Sequence, residues 1–339
     1  MTTVPSHRVP GGGFRNPWLE GPPGGRLGAF LKWTLVDRLT KPRPRDPDRS
    51  VFRRAIPGFA APRAAADRLG VTWVGHSSFL LQIAGVNILT DPMWSERASL
   101  VRFAGPRRWV PPGVAFDTLP PIDLVLQSHN HYDHLDIATV RRLAARAPEA
   151  AWLVPLGLAE FVRRRGARQV TELDWWQETR VAGLTIACAP AQHFSARNHA
   201  DRNRTLWCSW VVRAPGRRLY FGGDSGYHPD FAAIGRRYGP FDVGLLPIGA
   251  YEPRWFMKPV HMNPEEAVRA SRDVGAGVMV PMHWGTFKLT DEAMDEPPRR
   301  TEAAWREAGF RPEDLWLLVH GETRWLNAGE GLARASSPR

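Results

Sequence analysis

The chain has 339 residues, 43% of them hydrophobic and 23% charged, which is the composition of a folded globular protein and excludes wholesale disorder. Lys and Arg number 45 against 34 Asp and Glu, a net charge of +11 that favours an anionic partner (nucleic acid, acidic lipid or a phosphate-bearing substrate) without choosing among them. Two cysteines, Cys188 and Cys208, exclude a disulfide framework, and the length fits either two domains or one large α/β domain.

Residues 1–25 are rich in Gly and Pro and read as a flexible arm. The start has no apolar core of the kind a signal peptide requires. No run of about 18 apolar residues predicts a spanning helix. The expected location is therefore cytoplasmic. Leu27, Phe30, Leu31, Thr34, Leu35 and Leu39 then recur at helical spacing, with Arg26, Lys32, Arg38 and Lys41 among and beside them. This pattern predicts a basic amphipathic helix. Its apolar face either packs on the domain core or lies in a bilayer interface, on the inner face of the membrane. Arm and helix together form an N-terminal unit over 1–65.

From Val71 the pattern changes to short β-rich runs at 71–74, 79–83 and 86–90, with Ala84-Gly85 as the turn between the last two. Residues 122–127 are almost continuously apolar, the mark of a strand buried on both faces. Asp136 caps a predicted helix that runs to Arg146. Further strands are predicted at 184–189, 218–222, 243–248 and 278–282. A helix starts at Asn263, with Pro264 in its first turn followed by Glu265 and Glu266, and ends near Gly275. Strands alternating with helices around two sheets imply one layered α/β domain over 66–325. Residues 326–339 read as a flexible tail.

The strongest chemical signal follows the strand at 122–127. His129, His131, Asp133 and His134 fall in the order HxHxDH. Imidazole and carboxylate suit zinc, iron and related ions, and burying such a cluster without a ligand would be expensive. His193, Asp224 and His283 each follow a later predicted strand. Ligands in open α/β sheets collect beyond strand ends, so these loops would deliver five His and two Asp to one place. That inventory fits two metals with Asp224 shared between them, and glycines 222, 223 and 226 let the chain turn sharply around it.

Beyond HxHxDH, the strings LPPIDLVLQSHNHYDHLD, VPLGL, ELDWW, LWCSW, GDSGY, GPFDVGLLPIGAYEPRWFMK and HWGTF closely resemble the N-acyl-phosphatidylethanolamine phospholipase D family of the metallo-β-lactamase superfamily. The likeness runs from about Asn16-Pro17-Trp18 to about Gly321. It implies a metallo-β-lactamase-like αββα sandwich, with two zinc ions per chain. His129, His131 and His193 would hold one ion, Asp133, His134 and His283 the other, with Asp224 bridging. It also implies cleavage of N-acyl-phosphatidylethanolamine to an N-acylethanolamine and phosphatidic acid by a zinc-bridging hydroxide, and a homodimer. Two positions depart from the family pattern: Phe194 stands where animal members carry Trp, and Val260 where they carry Gln. GDSG replaces GDTG.

With a phosphodiester substrate in view, His261 is the candidate general acid or phosphate ligand. Arg254 and Lys258 are candidates to neutralise phosphate or head groups, with ordinary solvated cations as the alternative. Trp255, Phe256 and Met257, like Trp175 and Trp176, are candidates to bind acyl chains or rest at a lipid interface, with packing in the core as the alternative. Asp91 is a candidate to orient a ligand histidine; His76 is read as structural. A phospholipid at an anionic membrane surface is the expected partner, and the absence of a recognisable nucleic-acid module argues against nucleic acid. The alternative is a hydrolase of the same fold, a lactonase or phosphodiesterase, acting on a soluble substrate.

Overall fold

A computed structural model of the chain describes residues 6–20, 27–198, 200–327 and 330. The predicted tail and His199 therefore fall largely or wholly outside the described residues, as do Arg26 and the side chains of Leu27, Phe30 and Arg38. The strands are β1 (Leu69–Gly75), β2 (Ser78–Ile83), β3 (Val86–Thr90), β4 (Leu124–Leu126), β5 (Ala151–Pro155), β6 (Gln169–Leu173), β7 (Glu178–Val181), β8 (Leu184–Ala189), β9 (Ser209–Ala214), β10 (Arg217–Phe221), β11 (Phe241–Pro247), β12 (Ala276–Met282) and β13 (Thr323–Leu326). One sheet runs β13-β1-β2-β3-β4-β5-β6 and the other β12-β11-β10-β9-β8-β7.

Side-chain alternation sorts the strands into layers. Leu69, Val71 and Trp73, Phe79 and Leu81, and Leu124 and Leu126 of the first sheet meet Ile186, Trp210, Leu219, Leu245 and Val280 of the second in one core between the sheets. The intervening residues point outward. Leu80, Leu89, Val125 and Trp152 lie against Val140 and Leu143 of the helix Ile137–Arg146, which Asp136 caps by accepting from Ala138 N. Ala187, Val211 and Tyr220 lie against Phe231, Val268, Val274 and Trp305 on the outer helices of the second sheet. The expected αββα sandwich is therefore present, and every predicted strand and core helix forms. The helix Pro264–Val274 carries the full capping box of Asn263 and Glu266 and ends on Gly275 at φ 74°, as its sequence dictates.

The N-terminal unit differs from expectation in two ways. Residues 6–20 are docked on the sandwich rather than loose: His7 and Asn16 are buried, and Phe14 N donates to Asn203 O. The predicted amphipathic helix forms as Leu27–Leu31, a wider π-helical turn over Lys32–Asp37, and Arg38–Thr40. It packs inward through Trp33, whose ring meets Phe256 at 5.3 Å and whose Nε1 donates to Asp291 at 2.8 Å. The leucine stripe faces out: Leu31, Leu35 and Leu39 are 43%, 59% and 87% exposed. Among the described residues no helix is long and apolar enough to cross a membrane.

Candidate metal centre

The site lies where strands of both sheets end. His129–His134 follow β4, Asp91 follows β3, His193 follows β8, Asp224 follows β10 and His283 follows β12. β3 and β4 are parallel, as are β10, β11 and β12, so these ends share one side of the sandwich. Gly223 is required for the approach. Its φ is 57°, and a Cβ there would lie 2.8 Å from both Ser128 Cβ and Cys208 O. Only glycine lets Asp224 close against the strand end that carries His129.

Two donor sets result. His129 Nε2 lies 2.8 Å from His131 Nδ1, and His193 Nε2 lies 3.2 Å from the same atom. Asp133 Oδ2 lies 3.5 Å from both His134 Nε2 and His283 Nε2. A single oxygen joins the sets: Asp224 Oδ2 is 3.1 Å from His134 Nε2 and His283 Nε2, 3.7 Å from His193 Nε2 and 3.9 Å from His129 Nε2. The sequence-predicted residues His129, His131, Asp133, His134, His193, Asp224 and His283 are thus brought together.

The donor chemistry fits divalent cations. Three ring nitrogens converge in the first set, an arrangement that a cation between them relieves. Asp224 Oδ1 is buried with no hydrogen-bond partner, and His134 Nε2 and His283 Nε2 face the two carboxylates without making a hydrogen bond; buried polar atoms are rarely left so. Burial pushes His131 down to about 3 and His193 to about 4, and holds His129 well below its ordinary range. All three are neutral, ligand-competent rings at neutral pH. Burial opposes charge on His283 too, yet Asp224 and Asp133 hold it up to about 9; His134 is likewise raised.

A second layer fixes the rings. Asp91 Oδ2 accepts from His134 Nδ1 at 2.7 Å and Ser128 Oγ at 2.5 Å, and its Oδ1 accepts from Ser128 N and Gln127 Nε2. Its expected orienting role therefore has the required geometry, with Nε2 of His134 turned inward. His193 Nδ1 lies 2.9 Å from Val260 O and His129 Nδ1 lies 2.9 Å from Ser128 Oγ. Asp91, His76 and His283 sit at φ 33°, 55° and 65°, conformations that cost non-glycine residues roughly 1–3 kcal/mol each and that cluster at functional sites.

His76 does more than fill the core. Its Nε2 meets Asp133 Oδ2 at 2.8 Å, and its ring lies 4.0 Å from that of His283. One histidine in GHSSF gives no signal of this in sequence; the β1–β2 turn brings it there. His261 stands beside the cluster, its ring 5.0 Å from His193 and 5.3 Å from His283, with Nδ1 unpartnered. Burial drives its pKa well below the ordinary range.

Arg254 is not a free cation: it pairs with Glu266 at 2.7 Å and donates to His261 O at 2.9 Å, so it holds the His261 loop. Lys258 is exposed, as is Trp255, over which Lys32 Nζ sits at 4.6 Å. Phe194 meets the His131 ring edge-on at 4.5 Å and joins Trp33, Phe256, Met257 and Val260 in an apolar cluster beside the site. Trp175 is core, packed on His7 and Trp18.

A beta-lactamase superfamily domain matches residues 86–284. The chain is 40% identical over 298 residues to N-acyl-phosphatidylethanolamine-hydrolyzing phospholipase D 1 of Caenorhabditis elegans, covering 84% of each protein. It belongs to that family. The mitochondrial enzyme of the same name from Saccharomyces cerevisiae is 35% identical over 71% of this chain and 52% of its own. An uncharacterized protein of Mycobacterium tuberculosis is 49% identical over 86% of this chain and 75% of its own. In fold, the chain is similar to Igni18, a metallo hydrolase from Ignicoccus hospitalis. The TM-score is 0.59 at 24% identity, over 77% of this chain and 99% of that one. This member of the family is therefore a metallohydrolase of the β-lactamase fold.

Proposed function

We propose that the protein hydrolyses N-acyl-phosphatidylethanolamine to phosphatidic acid and an N-acylethanolamine, using two divalent ions, with zinc the ion that this imidazole-rich set suits. The observation that carries the reading is the single Asp224 oxygen within 3.1–3.9 Å of both donor sets. His129, His131 and His193 would hold one ion, Asp133, His134 and His283 the other, and Asp224 both. Two such ions supply, when bound, activation of water and neutralisation of phosphoryl charge.

The protein's own residues do the rest. Asp91 and His76 hold His134 and Asp133 in place. His261 would serve as general acid or donate a hydrogen bond to a phosphoryl oxygen. Phe194 and Val260 give the site an apolar flank suited to acyl chains. The test is turnover of N-acyl-phosphatidylethanolamine, phosphatidylcholine, a lactone and single-stranded RNA by the purified protein. N-acylethanolamine released from the first is the expected result; turnover of the lactone alone would overturn the lipid reading.

We also propose a peripheral docking surface for anionic membranes. Leu31, Leu35, Leu39 and the half-exposed Trp255 form exposed apolar surface; Lys258 is exposed, and Lys32 and Lys41, which share Asp37 at 2.9 and 3.1 Å, together leave one net positive charge to attract acidic lipid. Trp33 connects this helix to the apolar cluster that reaches His131 through Phe194. Withdrawing each leucine from a bilayer loses roughly 1.5–3 kcal/mol. Leu35→Glu with Leu39→Glu should therefore weaken binding to phosphatidylglycerol-containing vesicles by at least about 100-fold. Unchanged vesicle binding would sink the idea.

A further inference from the structure

The NPW and ELDWW strings take no part in the chemistry above, yet they meet in the structure. Asn16 is buried and clamps the backbone of His193 from both sides: its Nδ2 donates to His193 O at 2.7 Å, and His193 N donates to its Oδ1 at 3.2 Å. Trp207 Nε1 donates to the same Oδ1 at 3.1 Å. The clamp is carried by residues 6–20, which are fastened at three further points, Phe14 N on Asn203 O among them. Asp174 accepts from His7 at 2.7 Å and from Arg8 at 2.5 Å. Trp18 stacks on Trp175 at 5.7 Å and on the buried His228 at 4.4 Å. His193 itself lies in the long connection between β8 and β9; the bridge of Gln192 to Gly226 holds its neighbour and Val260 O meets its ring, but its own backbone N–H and C=O are held by Asn16.

We infer that Asn16 is a positioning residue for His193, and that the docked N-terminal strap completes the three-histidine set. The strap reaches the site from outside the sandwich, so a ligand on a loop acquires the rigidity of one on a strand. A ligand is held to useful geometry by the groups behind it, and removing one such group typically weakens a metal by about 10- to 100-fold. The inference rests on the dinuclear reading and concerns one ion only.

The experiment challenges zinc-loaded protein with increasing EDTA and counts the ions retained per chain, with cobalt(II)-loaded protein giving the ligand-field spectrum of each site. Asn16→Ala should release one of two ions at about 10- to 100-fold lower EDTA, with a changed visible band for that ion and the other retained as in wild type. Asp174→Ala, which loosens the strap away from His193, should release the same ion with a smaller shift, and it carries the test if Asn16→Ala fails to fold. Wild-type retention of both ions in both variants overturns the inference, as does equal loss of both ions, which signals general damage. A wild-type protein that binds neither ion overturns the metal reading itself.

Discussion

Replacing Asp224 by Asn is expected to abolish the pairing of the two ions and to lower kcat/KM by at least about 100-fold. The side chain keeps its shape and loses only its charge. That charge is the one feature shared by both donor sets, since Asp224 Oδ2 faces His134, His283, His193 and His129 within 3.1–3.9 Å. Changes behind a ligand already cost about 10- to 100-fold, and a ligand common to two ions should exceed that range. Elemental analysis should fall from two ions per chain to one or fewer. Two ions and near-normal turnover in this variant would remove Asp224 from its bridging place.

Asp91→Ala is expected to do more damage to the fold than any other single change behind the ligands. Asp91 is fully buried and accepts from four donors. Burial raises its pKa, and His134 and Ser128 counter it. Truncation leaves the His134 ring and the Ser128 backbone without their acceptor. Breaking such a buried charged pair typically costs about 3–5 kcal/mol. The loss should appear as a lower midpoint in denaturant together with weaker retention of the ion on the His134 side. Asp91→Asn, which keeps an acceptor but changes the His134 partner, should recover much of the stability and less of the metal affinity. Wild-type stability and metal content in Asp91→Ala would show that the network is not required.

Much of the site was legible before the fold. HxHxDH sits directly after a continuous apolar run, and a buried strand must end at a loop edge, so its ligands point to one place. GGDSGY and MHWG follow the same rule. What stayed hidden depends on tertiary contact. β6 and β7 alternate exposed with half-buried residues, and their polar halves conceal them at a sheet edge. The helix Glu296–Glu307 opens on Pro-Pro and is heavily charged, with Thr301, Ala304 and Trp305 turned inward. The stripe over Leu31, Leu35 and Leu39 was visible, but not its direction. One Trp33, whose indole finds both Asp291 and Phe256, claims the inner face over three leucines. Residues 6–20 carry the composition of a loose arm, yet Asn16 and Trp18 find partners on distant loops that no local pattern announces.

The most direct measurement is hydrolysis of N-acyl-phosphatidylethanolamine by the purified, zinc-loaded protein in water enriched in oxygen-18, with both products analysed by mass spectrometry. Attack on phosphorus places one labelled oxygen on the phosphate of phosphatidic acid and none on the N-acylethanolamine, and EDTA abolishes both products. Label in the N-acylethanolamine or in a released fatty acid, or product formation that survives complete metal removal, would contradict a metal-dependent phosphodiester hydrolase at this site.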